Sequence, residues 1–265
     1  MPVNDNLGMR MKENYENRSK TYLIRRMPVA IRIDGRAFHT FTKGFEKPFD
    51  SILQNSMIQT MEYLVENIQG AKFGYCQSDE ITILLTDYDT LETAAWFDYS
   101  VQKLCSISAS MATLAFNRIF RNLVDAHCDR LDALDARFGK YEYSLLEALK
   151  QGAMFDARAF NIPKEEAGNL IVWRWMDAKR NSIQMAGQAF FSHKELQGKN
   201  QKDICQMLAD IHQPWFQYHD ECRFGTMCFK NEENEWIIRP AYHVHESIYK
   251  LVSMCVGYEE AEDED

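Results

Sequence analysis

No apolar run in this 265-residue chain approaches the length needed to cross a bilayer, and the polar start MPVNDNLGMRMKENYENR holds no apolar signal region. The chain therefore reads as soluble and cytoplasmic, with no membrane partner. It has no Cys-x-x-Cys pair, and its seven cysteines are an odd number, which excludes a disulfide framework and fits reduced thiols. Cys222 and Cys228 with His243 and His245 match no zinc spacing. A Walker Gly-x-x-x-x-Gly-Lys-Ser/Thr loop is missing, as is a Gly-x-Ser-x-Gly nucleophile elbow, so neither a P-loop nor hydrolysis through a covalent serine intermediate is expected. No repeat, linker or low-complexity stretch divides the sequence before its acidic end. Residues 1–256 read as one domain and 257–265 as an acidic, disordered tail.

With 46% hydrophobic and 12% aromatic residues, the chain can bury a sizeable core. Its net charge of −9 argues against a polyanionic partner only until the six acids of Glu259–Asp265 are set aside. The body then carries −3. Residues 1–36 hold eight Lys and Arg against four Asp and Glu, a local excess that suits contact with phosphate or nucleic acid as well as it suits a solvated charged face.

The run VAIRID at 29–34 alternates β-branched residues and meets Gly35, which predicts a strand ending in a tight turn with a carboxylate at its tip. Asp50 stands where an N-cap belongs, and Leu53, Met57, Met61, Leu64 and Ile68 recur at helical spacing behind it, predicting a helix that ends near Gly70. AKFGYCQSDEITILLTD predicts a hairpin with acids at its turn. Residues 91–122 read as a buried central helix, GAMFDARAFNIP as strand-like, and Pro163 as the start of a helix through Met176 followed by a further helix. A helix at 201–211 and a late hairpin around Asn231–Asn234 complete the pattern. The class is α+β, a sheet with helices packed on one face.

Asp34 and Asp79 are the candidate catalytic carboxylates. If their strands lie side by side, both acids meet at one edge of the sheet, where magnesium needs only one or two protein carboxylates plus substrate phosphates. Two such ions roughly 3.5 to 4 Å apart would activate one oxygen and stabilise a leaving pyrophosphate. The alternative is that Asp34 is a turn former and Asp79 and Glu80 are solvated turn acids. Gly35, Arg36, Ala37, Phe38 and His39 follow with backbone N–H groups suited to facing a triphosphate. Lys43, Lys47, Lys103 and Arg158 are cations whose value depends on convergence in space. Trp173 and Trp175 either stack bases or pack half-buried.

RIDGRAFHTFTKGFEKPFD at 32–50, YCQSDEITILL at 75–85, FDAR at 155–158 and WRWMDAKRNS at 173–182 together resemble the histidine-tRNA guanylyltransferase superfamily. The LGMRMKENYENRSKTYLIRRMPV lead-in is similar to its bacterial and archaeal guanylyltransferase-like branch. The resemblance implies an antiparallel, palm-like sheet with packed helices, as in polymerase palm and nucleotide cyclase domains, acting in the 3′-to-5′ direction on the 5′ end of tRNA. It implies Mg²⁺ on Asp34, the Gly35 carbonyl and Asp79, and a nucleoside triphosphate along Asp34 to His39 and near Ser78. It implies further that Lys103 and Arg158 hold nucleotide phosphates, that ATP activates the 5′ end, that GTP or another nucleotide is added, and that the protein is a homotetramer.

Two departures matter. Lys179-Arg180-Asn181-Ser182 stands where eukaryotic members carry His-Ile-Asn-Asn, and Ala37 stands where they commonly have asparagine. The missing histidine belongs to recognition of histidine tRNA, so template-directed repair of 5′-truncated tRNAs is the expected activity. A nucleotide cyclase without an RNA substrate and a non-catalytic RNA-binding relative stay open on sequence.

Overall fold

The computed structural model describes residues 6–134 and 137–258. Its strands are β1 (Val29–Gly35), β2 (Ala71–Gln77), β3 (Glu80–Leu85), β4 (Phe155–Asn161), β5 (Thr226–Lys230) and β6 (Trp236–Pro240). Its helices are α1 (Leu7–Asn14), α2 (Phe38–Phe41), α3 (Ser51–Asn67), α4 (Val101–Ala133), α5 (Lys140–Gln151), α6 (Lys164–Phe190), α7 (His193–Leu196), α8 (Gln201–Asp210), α9 (Asp220–Phe224) and α10 (His245–Cys255). All six strands join one sheet in the order β4-β1-β3-β2-β5-β6, each neighbour antiparallel to the next. The first four strands with α3 and α4 make the split βαβ arrangement, in which β3 slots between β1 and β2. The acidic stretch 259–265 lies outside the described residues.

Strand alternation sorts side chains onto two faces. Ile31, Ile33, Ile81 and Ile83 point into one core with Met57, Met61, Leu64, Leu104, Phe116 and Phe120 of α3 and α4. Ala30, Leu84, Phe73 and Tyr75 point into a second core with Ala167, Ile171, Trp175, Ile248 and Val252 of α6 and α10. Helices thus flank both faces, against the one-face expectation. The signal was in β3, whose six residues are all buried, as a strand covered on both sides requires.

Two helix boundaries also differ from expectation. The central helix begins at Val101, ten residues later than its pattern suggested, and runs to Ala133. Residues Phe97, Asp98 and Tyr99 take positive φ, and Trp96 and Tyr99 are buried, so tertiary anchoring of two aromatics overrides helical propensity there. Pro163 is the N-cap of one continuous 27-residue helix instead of opening the first of two. The α3 N-cap is as expected, the Asp50 carboxylate accepting from the Leu53 N–H at 2.8 Å. Among the described residues no helix is long and apolar enough to cross a membrane.

Candidate active site

The sheet order makes β1 and β3 direct neighbours, so the end of β1 meets the turn that starts β3. The Gly35 N–H donates to the Asp79 carbonyl at 3.0 Å, and Asp34 stands opposite Glu80. Asp34 and Asp79 therefore share the same end of the sheet. Burial pushes the Asp79 carboxyl above the usual aspartate range, and the charge of Asp34 adds to that push, while hydrogen bonding by its own N–H and by the Ser78 hydroxyl opposes it. The Ser78 hydroxyl lies 3.1 Å from the Asp79 carboxylate. Two neighbouring carboxylates at one edge are an arrangement that a divalent cation stabilises.

Glu80, the second acid of the hairpin, is committed elsewhere. Arg174 of α6 donates to both its oxygens, Nε to Oε1 at 2.6 Å and Nη2 to Oε2 at 2.9 Å. Both side chains are buried, and Arg174 also donates to Asp177 at 3.0 Å. Burial raises the Glu80 carboxyl pKa, with Arg174 and then Arg32 working against it. Glu80, a solvated turn acid on the alternative reading, is an anchor between the sheet and α6. No short-range signal pairs positions 94 residues apart, so sequence reasoning missed Arg174.

Gly35 is required for a steric reason and not for a left-handed turn. A Cβ there would come within 2.3 Å of the Phe38 ring, which is buried against Phe41, Phe116 and Phe155. That ring pins the loop. The left-handed residue is Ala37, at φ 55°, and Ser78 is left-handed too, at φ 49°. Asparagine tolerates this conformation better than alanine does, which gives a backbone reason for asparagine at that position in eukaryotic members. Phe38 and His39 open α2, whose first turn leaves N–H groups without intrahelical acceptors. Arg36, Ala37 and His39 are exposed around them. The Arg36 N–H is tied to the Met154 carbonyl at 2.8 Å, which fixes the loop to the start of β4. Beside Ser78, a cleft is lined by Phe49, Asp50, Gln54, Gln77 and Asn181.

The candidate cations divide. Arg158 lies on β4 opposite Arg32, one row from the Asp34–Asp156 pair and on the same face. Lys47 is exposed on the segment that leads to Asp50. Lys103 is not brought to this end. It stacks over Phe97 at 5.4 Å near the start of α4, whereas the part of α4 that touches the site is Thr113, whose hydroxyl accepts from the Phe155 N–H at 3.2 Å. At 1.5 Å per residue the separation along the helix is about 15 Å. Arg25, in the basic N-terminal stretch, is spent on the fully buried Asp87 at 2.5 Å and on Asp98 at 3.3 Å. Asp156, which reasoning from the sequence passed over inside FDAR, is the cross-strand partner of Asp34.

The donor set fits magnesium. Among the described residues no three His, Cys, Asp or Glu side chains are grouped to enclose a metal, which excludes a closed protein cage there. The oxygens of Asp34 and Asp79 and the Gly35 carbonyl are hard donors, few enough to leave room for water and substrate phosphates. His243, once set beside a zinc spacing, pairs instead with Asp220 at 2.7 Å, and Cys228 is buried in the first core.

Residues 8–163 match a family model described as Thg1, tRNAHis guanylyltransferase. The chain is similar to a bacterial tRNA(His) guanylyltransferase (Thg1)-like protein solved in complex with ATP, at 38% identity and a TM-score of 0.79, over 94% of this chain and 99% of that one. A bacterial Thg1-like protein in complex with GTP is similar at 35% identity and a TM-score of 0.74, over 95% and 99%. With tRNA(His) guanylyltransferase from Saccharomyces cerevisiae the likeness is of fold, at 16% identity and a TM-score of 0.63 over 89% and 99%. A protein of Acanthamoeba polyphaga mimivirus, uncharacterized protein R259, is 28% identical over 219 residues, 78% of this chain and 71% of its own length. The mixed helices and antiparallel sheet are thus the palm-type nucleotidyltransferase fold.

Proposed function

The chain belongs to the tRNAHis guanylyltransferase family and is a nucleotidyltransferase, and from that premise we propose that it adds nucleotides to the 5′ end of tRNA in the 3′-to-5′ direction. The observation that carries the reading is the hydrogen bond from Gly35 to Asp79, which joins the two acid-bearing strand ends. Asp34, Asp79 and the Gly35 carbonyl hold two Mg²⁺ ions in this proposal. Magnesium, when bound, would supply positive charge against the attacking and leaving oxygens.

The chain's own groups do the positioning. The outward N–H groups of the Asp34–His39 loop and the Ser78 hydroxyl receive the triphosphate of an incoming GTP or other nucleotide. Arg158 and Lys47 add phosphate contacts. A monophosphorylated 5′ end is a poor electrophile, so it first attacks the α-phosphorus of ATP, giving an adenylylated end and releasing pyrophosphate. The 3′ hydroxyl of the incoming nucleotide then attacks the 5′ phosphorus, a new phosphoester bond forms, and AMP departs, or pyrophosphate from a triphosphorylated end. Lys179 and Arg180 in place of the eukaryotic His-Ile-Asn-Asn start favour templated repair over strict addition of G to histidine tRNA. Arg180 is paired with Asp177 and Lys179 lies 5.7 Å over the Trp175 ring, so neither reproduces a histidine edge. A cytoplasmic homotetramer belongs to the same proposal, its assembly state readable by light scattering.

Incubation of the protein with labelled 5′-truncated tRNAs, ATP, Mg²⁺ and each nucleotide in turn tests the reading. Addition that follows the base on the opposite acceptor strand supports it. Addition of G alone, on histidine tRNA alone, contradicts templated repair, and the absence of any addition overturns the activity.

A further inference from the structure

Trp173 and Trp175 sit two residues apart on α6 and have opposite surroundings. Trp175 is buried and stacked on Phe224 at 5.7 Å. Trp173 is 52% exposed, with the Arg174 guanidinium 4.5 Å and the Arg32 guanidinium 5.8 Å from its ring centroid. Both guanidiniums are anchored, Arg174 on Glu80 and Asp177 and Arg32 at 3.8 Å from Glu80. An indole with two anchored cations against its ring has a defined orientation, and about half its surface is left to solvent.

Its location gives that surface a use. Arg32 precedes Asp34 by two residues, so both point to the α6 side of the sheet. Their β4 partners, Arg158 and Asp156, point the same way and are exposed. The helices α6 and α10 cover this face over β2, β3 and β5, leaving the ends of β1 and β4 open. The open surface beside Trp173 thus carries the exposed Arg158 and Asp156, with Arg32 and Asp34 half-buried on the same face. The loop expected to receive the nucleotide triphosphate turns the other way, since Phe38 is buried in the core on the α3 and α4 side. Two substrates must meet at Asp34 and Asp79, and this surface is on the side that the loop leaves free.

We propose that Trp173 is a stacking platform for the terminal base at the RNA 5′ end, its ring held by Arg32 and Arg174, an inference that rests on the tRNA 5′-end reading above. Stacking suits a templated enzyme because every base offers a π-face, so the platform holds the end without selecting its sequence. Anchored guanidiniums beside the ring add cation–π attraction to the base.

The test measures affinity and not catalysis. The parent, Trp173→Ala, Trp173→Leu and Trp173→Phe are titrated with labelled 5′-truncated tRNA whose terminal 5′ nucleotide carries its base or is abasic, at one fixed salt concentration. Thermal unfolding of each variant checks the fold. The parent should lose on the order of tenfold in affinity when the base is removed. Trp173→Ala and Trp173→Leu should bind intact RNA about tenfold more weakly and be indifferent to the base, whereas Trp173→Phe keeps most of the affinity. Parental affinity in Trp173→Ala, or an equal loss on intact and abasic RNA, would overturn the proposal. Because binding is read directly, a protein that discriminates the two RNAs but adds no nucleotide would refute the activity and leave the platform standing.

Discussion

Arg174 grips Glu80, 94 residues away in the chain, through two parallel hydrogen bonds of 2.6 and 2.9 Å. The pair separates two adjacent acids by role: Asp79 faces the strand-end cluster with Asp34, and Glu80 ties α6 to the sheet. A buried carboxylate left without its partner is costly, which makes this link a structural test of the site.

Arg174→Ala should destabilise the protein by about 3 to 5 kcal/mol, because Glu80 would stay buried without its counter-charge. Arg174→Lys keeps the charge but not the fork and should fall between the two. Urea denaturation midpoints measure both, and a stability loss below about 1 kcal/mol for the alanine variant would show that water relieves Glu80.

Asp34→Ala and Asp79→Ala should each lower nucleotide addition by on the order of 10³-fold or more, as expected when charge stabilisation of the reacting oxygens is removed. Thermal unfolding should show both variants folded. Near-parental turnover in either one would remove it from the magnesium site.

Asp79→Asn separates stability from activity. Burial, with the Asp34 charge, raises the Asp79 carboxyl pKa in the folded state, so the folded protein binds the extra proton more readily than the unfolded chain does. The parent therefore loses stability as pH rises from the ordinary aspartate value, about 3.9, through the raised one. Asparagine carries no such charge, so the variant should lack that loss and unfold at a higher temperature than the parent at neutral pH in metal-free buffer, while being inactive. Identical pH profiles of unfolding for the two proteins would contradict the coupling.

Lys103→Ala should leave addition to triphosphorylated and to monophosphorylated 5′ ends within about twofold of the parent, the effect of losing an exposed charge. Rates on both kinds of end decide it. A loss confined to the monophosphorylated end would return Lys103 to the activation step, by way of a neighbouring subunit.

Local order in the chain accounts for much of the fold. The alternation at 29–34, the Asp50 cap with its trailing apolar stripe and the Gln77–Glu80 turn are each written within a few residues, where backbone preference and side-chain periodicity act directly. That is why both candidate acids were legible at strand ends. The family motifs added the loop from Asp34 to His39, although the reason for Gly35 proved to be the Phe38 ring and the left-handed residue proved to be Ala37.

Tertiary structure alone decided the rest. Two strands can pair with either member of a hairpin, and only the packed sheet makes β3, not β2, the neighbour of β1. Arg174 reaches Glu80, Asp156 reaches Asp34 and Lys103 is carried away from the site by contacts between distant parts of the chain, which no local pattern encodes. The two tryptophans of α6 show the boundary most simply. Their spacing of two residues, about 200° around a helix, determines from sequence that they face opposite ways. Which one is stacked in the core and which is left open against Arg32 depends on where the sheet lies.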